Sequence, residues 1–157
     1  MKPRYLGALL LTGLVIGVAW QWHADEADLR AHTLTGLDPS EVRRIDVDLH
    51  GLPDQHFERR DGQWTAGASH ADEGRAEDLA SLAATPVASW RSAADFDAAR
   101  IGLVPPLAVL VLDGVRMEFG EMTALGKQRY VRVGKRIAIV PAEALPRPPR
   151  TTPLPTR

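Results

Sequence analysis

Asp46, Asp48 and His50 alternate with Ile45, Val47 and Leu49, and His56 and Glu58 follow a few residues later. In an extended chain successive side chains point to opposite faces, so the polar trio shares one face and the apolar trio the other. Carboxylates and imidazoles converging from two neighbouring strands are a donor set for a hard or borderline divalent cation. Side chains at i and i+2 stand roughly 6.5–7 Å apart, which suits a single strand face poorly to closing a coordination shell. A solvated face with cross-strand pairing to Arg59 or Arg60 accounts for the same residues. Neither a metal nor another cofactor is therefore expected.

Nucleophilic chemistry has less to work with. Ser40, Ser69, Ser81, Ser89 and Ser92 stand in neither a G-x-S-x-G nor an S-x-x-K context. The five histidines fall in the N-terminal half without paired spacing. With no cysteine in the chain, thiol catalysis, thiolate metal sites and disulfides are excluded. No glycine-rich strand-to-helix turn is placed to cradle a phosphate. The chain is expected not to be an enzyme. Trp64 and Trp90 fit core plugs of a small domain better than an exposed recognition patch.

The elements that must position these residues are legible from periodicity. Residues 42–49 read as a half-buried strand, broken by Gly51-Leu52-Pro53-Asp54. His56–Arg60 and Gln63–Ala66 read as a hairpin about Asp61-Gly62, a pair suited to a turn with φ > 0 at both positions. Asp72–Thr85 reads as a helix, capped by Ser69 or Asp72 and stopped by Pro86. Val87–Trp90 reads as a short strand and Ala94–Arg100 as a helical turn. Leu107–Leu112 with Val115–Phe119, and Tyr130–Val133 with Arg136–Val140, complete two more hairpins about Asp113-Gly114 and Gly134-Lys135. The fold class is α+β: a small antiparallel-sheet domain of about three hairpins with one main helix. From Pro146 onward, five prolines in twelve residues predict an extended, disordered tail.

Ahead of this domain stands Tyr5–Trp22, an apolar run whose polar residues are Thr12 and Gln21. As a helix it would span roughly 27 Å, close to the hydrocarbon thickness of a bilayer. Lys2 and Arg4 precede it, which places the N-terminus in the cytoplasm, and Tyr5, Trp20 and Trp22 suit interfacial anchors. A cleaved signal peptide is the competing reading, with its best cut after Ala19, but no A-x-A triplet stands nearby. Gly13 and Gly17 form a G-x-x-x-G pair on which a second helix can approach closely. The expected division is a cytoplasmic N-terminus and transmembrane anchor at 1–24, a juxtamembrane linker at 25–40, an exported domain at 41–145 and a proline-rich tail at 146–157. Such a chain sits in a bacterial inner membrane as a single-pass protein with its domain in the periplasm.

The net charge of −1 hides an asymmetry. Residues 25–100 carry 16 acids and 8 bases (−8), and residues 116–157 carry 9 bases and 3 acids (+6). The two parts are expected to balance each other across the domain. Nucleic acid is not an expected partner, because no motif interleaves aromatic and basic residues.

Several of these residues, in this order, resemble domain-of-unknown-function family 4340. They are Ile45-Asp46-Val47, Arg60-Asp61-Gly62-Gln63-Trp64, the helix Asp72–Leu82, Gly102-Leu103 with Pro105-Pro106, Phe119-Gly120, and Arg129-Tyr130-Val131-Arg132. The match covers roughly residues 40–145. Ile101 and Val104 depart from it, standing where the family usually has a tyrosine and an acid. The resemblance implies a single-anchor envelope protein of the kind encoded beside, or fused to, ABC transport components such as those linked to gliding motility. It carries over no catalytic residue; Trp64, Gly102, Gly120 and Tyr130 transfer as fold-defining positions. The expected function is that of a non-catalytic accessory or assembly subunit, in contact with the lipid bilayer and with other membrane or envelope proteins such as transporter subunits. The alternatives are a periplasmic binding module for a glycan or lipid head group and, third, an enzyme.

Overall fold

The computed structural model describes residues 32–66, 69–70 and 73–149. Thr33–Arg157 forms a compact unit separate from Met1–His32. The expected span Tyr5–Trp22, with Gly13 and Gly17, lies outside the described residues. Among the described residues no helix is long and apolar enough to cross a membrane.

The domain is a mostly antiparallel sheet with one helix. Nine strands follow in chain order: β1 (Arg44–Leu49), β2 (Gln55–Arg60), β3 (Gln63–Ala66), β4 (Ser69–His70), β5 (Ser89–Ser92), β6 (Ala108–Leu112), β7 (Val115–Met122), β8 (Gln128–Val133) and β9 (Arg136–Pro141). Helix α1 (Glu73–Ser81) lies between β4 and β5 and tightens into a 3-10 turn, Leu82–Ala84. All strands join one sheet in the order β4-β3-β2-β1-β6-β7-β8-β9-β5. It is two four-strand meanders, β1–β4 and β6–β9, meeting antiparallel where Val47 faces Leu110. β4 and β5 are the two edges, so α1 carries the chain from one edge of the sheet to the other.

Turn chemistry sets the hairpin registers. Asp61 (φ 51°) and Gly62 (φ 81°) close β2–β3, and Asp113 (φ 46°) and Gly114 (φ 88°) close β6–β7. Both pairs hold the doubly positive φ whose twist matches that of the flanking strands. The Asp113 carboxylate also accepts hydrogen bonds from the backbone N–H of Arg43 (3.1 Å) and Arg44 (2.8 Å), satisfying donors where β1 begins.

One sheet face holds the main core. Ile45, Val47, Phe57, Trp64, Leu110, Leu112, Met117, Phe119, Val131 and Val140 pack with Ala76, Leu79 and Ala80 of α1 and with Ala83 of the 3-10 turn that follows it. The helix offers mostly alanine toward the sheet, which lets its backbone approach closely. On the other face, beyond β8 and β9, Ile101, Leu103 and Ile137 form a second cluster with Phe96, Tyr130 and Ile139. The alternation along β9 explains the two layers: Ala138 and Val140 serve one core, Ile137 and Ile139 the other.

Several boundaries differ from the sequence reading, among them the helical turn expected at Ala94–Arg100, which is a 3-10 turn at Ala93–Asp95. The linker expected at 25–40 is part of the domain from Thr33 onward. Leu34 is 1% exposed, its N–H donates to the Thr85 carbonyl (2.8 Å), and that of Thr35 donates to the Ala83 carbonyl (3.0 Å). A polar stretch thus hides one apolar plug over the exit of α1. Ser69, a candidate cap, instead pairs with Ala66 in β4; Asp72, the other, lies outside the described residues. The strand expected at Val87–Trp90 runs two residues later, at Ser89–Ser92. Finally, packing continues past residue 145 into the proline-rich segment. Pro146 is buried and the Arg147 carbonyl accepts a hydrogen bond from Arg75 (2.5 Å). Pro148 and Pro149 are exposed.

Candidate functional site

The strands bring two of the five sequence-selected polar residues directly opposite each other: Asp46 on β1 faces His56 on β2. His56 Nδ1 lies 2.5 Å from Asp46 Oδ1, and its Nε2 lies 3.2 Å from Glu58 Oε1. The other Glu58 oxygen accepts from Arg60 at 2.6 Å, and Arg44 stands 3.6 Å from Asp46. The hydrogen bond to Asp46, then that to Glu58, raises the His56 pKa above its ordinary value near 6.5. Hydrogen bonds from Arg60 and His56 lower that of Glu58. The imidazolium therefore has both N–H groups occupied by carboxylates. Asp48 is exposed opposite Val109, and His50 is exposed just past the end of β1. Among the described residues no three His, Cys, Asp or Glu side chains are grouped to hold a metal ion.

A shallow depression of about 300 Å³ adjoins this cluster, bordered by Asp46, Asp48, Asp54, His56, Val111 and Arg116. Across it, Glu118 on β7 is clamped between two guanidinium groups. Arg116 Nε lies 3.0 Å from one oxygen, and Arg132 of β8 binds the other. Acid and base alternate across the strands, and Asp46, His56, Glu58, Arg60, Arg116, Glu118 and Arg132 pair with one another, while Asp48 and Asp54 border the depression outside these pairs.

The basic hairpin of β8 and β9 is engaged internally in the same way. Arg129 is 7% exposed and donates to the carbonyls of Gly120 (2.5 Å) and Ala142 (3.2 Å). Burial lowers its pKa from the usual guanidinium value. No carboxylate among the described residues pairs with it; backbone carbonyls at the end of the sheet solvate the charge. Arg136 stacks over Trp90 at 4.1 Å, as Arg59 does over Trp64 at 4.9 Å. A signal for the burial of Arg129 was available, because it shares the period-2 face of Val131 and Val133.

The four positions singled out by resemblance fall in three places. Trp64 is 1% exposed in the main core, and its Nε1 has no hydrogen-bond partner among the described residues. Tyr130 meets Phe96 edge to face at 5.7 Å in the second cluster. Gly102 and Gly120 mark one crossing, where the loop before β6 passes over β7. The N–H of Glu121 donates to the Ile101 carbonyl (2.9 Å). A Cβ on Gly120 would collide with that carbonyl, and one on Gly102 (φ 68°) would collide with Glu121. The β7–β8 pairing shifts register between Phe119 and Met122, at this same point.

A second cleft, of about 440 Å³, runs between α1 and the C-terminal segment, lined by Arg75, Asp78, Leu82, Glu143, Leu145 and Arg147. Arg75 spans it, donating to Gln55 Oε1 (2.7 Å) as well as to the Arg147 carbonyl. Neither Trp64 nor Trp90 lines either cavity. Three serines serve local turns: Ser40 Oγ donates to Asp38, Ser81 Oγ donates to the Asp78 carbonyl, and Ser92 Oγ accepts from Ala94 N–H. No protein-family model, curated protein or solved structure matches this chain.

Proposed function

We propose that the chain is a non-catalytic, membrane-anchored accessory or assembly subunit of a bacterial envelope complex, with its sheet domain in the periplasm. The observation that carries this reading is that the imidazole and the guanidinium groups on and beside the open face are engaged with one another's partners, leaving Asp48 and Asp54, among the described residues, as the uncommitted charges at the depression. His56 is closed off by Asp46 and Glu58, Glu118 by Arg116 and Arg132, and Arg129 by backbone carbonyls. A catalytic or ligand-binding site keeps polar groups convergent on a cavity and free to act. Tyr5–Trp22, behind Lys2 and Arg4, supports the single-pass anchor. The resemblance to family 4340 supports an ABC transport system as the host complex. In this arrangement Gly13 and Gly17 pack the anchor against a permease helix.

The test is affinity capture of the tagged full chain from native membranes, with partners identified by mass spectrometry. The same envelope proteins should copurify repeatedly, and Gly13→Leu with Gly17→Leu should release them. Retention of every partner by the double variant would sink the helix-packing role, and capture of the chain alone would sink the assembly role.

A periplasmic binding module for a glycan or lipid head group is the second reading, favoured by the cleft beside α1 that Arg75 spans. An aromatic-lined pocket would have strengthened it, and Trp64 is instead enclosed in the core.

A further inference from the structure

Strand registers sort the connections of the domain onto two rims. Leu49 faces Ala108, Ala108 faces Phe119, Met122 faces Arg129, and Gln128 faces Pro141. The loops 50–54, 104–107 and 123–127 therefore share one rim, and the turns 61–62, 113–114 and 134–135 share the opposite one. Among the described residues the large apolar side chains left exposed are Leu52 (42%), Val104 (60%), Leu107 (42%), Met122 (53%) and Leu125 (86%). All five lie on the first rim. They come from adjacent connections: the His50 N–H donates to the Leu107 carbonyl (3.2 Å), and the Leu107 N–H to the Phe119 carbonyl (2.9 Å). From β1 to β8 is three strand spacings, or roughly 15 Å.

The chain enters the domain at this same rim. Thr33 bridges Pro86, and the Ala88 N–H donates to the Ile139 carbonyl (2.8 Å), two residues before β9 ends at Pro141. The ten residues 23–32 separate Trp22 from Thr33, and even fully extended they reach at most about 35 Å. A domain so tethered stays beside the bilayer, and the rim where its tether enters is the one carrying unburied Leu, Val and Met. Single exposed apolar residues are ordinary, but five on one rim and none opposite are a patch.

We infer that this rim is a membrane-contact surface, with Leu125, Met122, Val104, Leu107 and Leu52 inserted among the lipid head groups around the anchor. The inference rests on the anchor reading of Tyr5–Trp22 and adds to it an orientation: the turns at 61–62, 113–114 and 134–135 point away from the membrane. Apolar loop tips lying in the interfacial layer lose contact with water without leaving any backbone group in the hydrocarbon unpaired.

Because the chain has no cysteine, single cysteines report cleanly. The full chain is reconstituted in phosphatidylethanolamine–phosphatidylglycerol vesicles with an environment-sensitive fluorophore at Leu125→Cys, Met122→Cys or Val104→Cys. Gln63→Cys and Lys135→Cys on the opposite rim serve as references. Flotation of the vesicles tests the anchor, and the fluorophore tests the rim. The expected result is co-flotation, with blue-shifted emission and preferential quenching by lipid-borne nitroxide at the three rim positions, and quenching by aqueous iodide at the two references. Failure to float overturns the anchor and this inference with it. Flotation with rim labels as open to iodide as the references, or shielded from both quenchers as in a protein contact, overturns the inference alone.

Discussion

His56 bridges Asp46 and Glu58 on the open face of the sheet, and its pH dependence follows from that geometry. Its pKa in the folded chain lies above the ordinary value near 6.5. The stabilisation it brings is fully present below that value and is lost as pH rises through the folded pKa. Glu58 acts in the opposite sense: with its pKa lowered from 4.5, its contribution is present above that value and lost as pH falls through the folded pKa. The cluster should therefore stabilise most between those two ordinary values. Urea unfolding at stepped pH should show stability declining from slightly acidic to slightly alkaline conditions, and His56→Gln should remove that component. An identical pH profile in the variant would refute the role of the bridge. The local alternation placed Asp46 on the open face, but its opposition to His56 required the register of β1 against β2, which depends on the length of the 50–54 connection.

At the scale of elements, the contact with most consequence is the crossing of the 101–103 loop over β7. Two glycines make it possible for different reasons. Gly120 leaves room for the Ile101 carbonyl, and Gly102 adopts a left-handed φ of 68° against Glu121. Gly120→Ala should cost about 1–3 kcal/mol through overpacking, and Gly102→Ala at least the 1–2 kcal/mol or so of a left-handed alanine. Gly36→Ala is the control, since nothing lies within 4 Å of its added Cβ and its φ is not positive; it should stay within about 0.5 kcal/mol of the parent. Denaturant midpoints would decide: equal values for all three would mean the crossing does not constrain the fold. Sequence alone marks both glycines as special. It does not reveal that they meet, because seventeen residues separate them and the loop's path over β7 is set by the second cluster around Ile137 and Tyr130.

For the molecule as a whole, the informative boundary is its beginning. Leu34 is enclosed, and the backbone of Leu34 and Thr35 is hydrogen-bonded to the exit of α1. A chain starting at Thr33 should unfold cooperatively, whereas one starting at Glu41 forfeits Leu34, Leu37 and those bonds. Loss of the Leu34 plug alone should cost about 2–5 kcal/mol, a large share of a small domain's stability. Thermal unfolding of the two fragments distinguishes these outcomes, and equal midpoints would restore 33–40 to the status of a linker.

The amino-acid sequence by itself determined β1, the three hairpins with their turns and, among the described residues, the helix α1, because alternation, Asp-Gly chemistry and helical spacing act between near neighbours, whereas β4 and the bounds of β5 were not legible in it. Tertiary structure alone decided that β1 lies against β6, that β5 closes the edge beside β9, and that Arg129 is held by backbone carbonyls inside the sheet. It also decided that Asp113 caps donors at Arg43 and Arg44, about seventy positions earlier, and that the large apolar side chains left exposed among the described residues share a rim. Those outcomes depend on contacts between segments far apart in the chain. No local period encodes such contacts, and they are chosen together when the core closes.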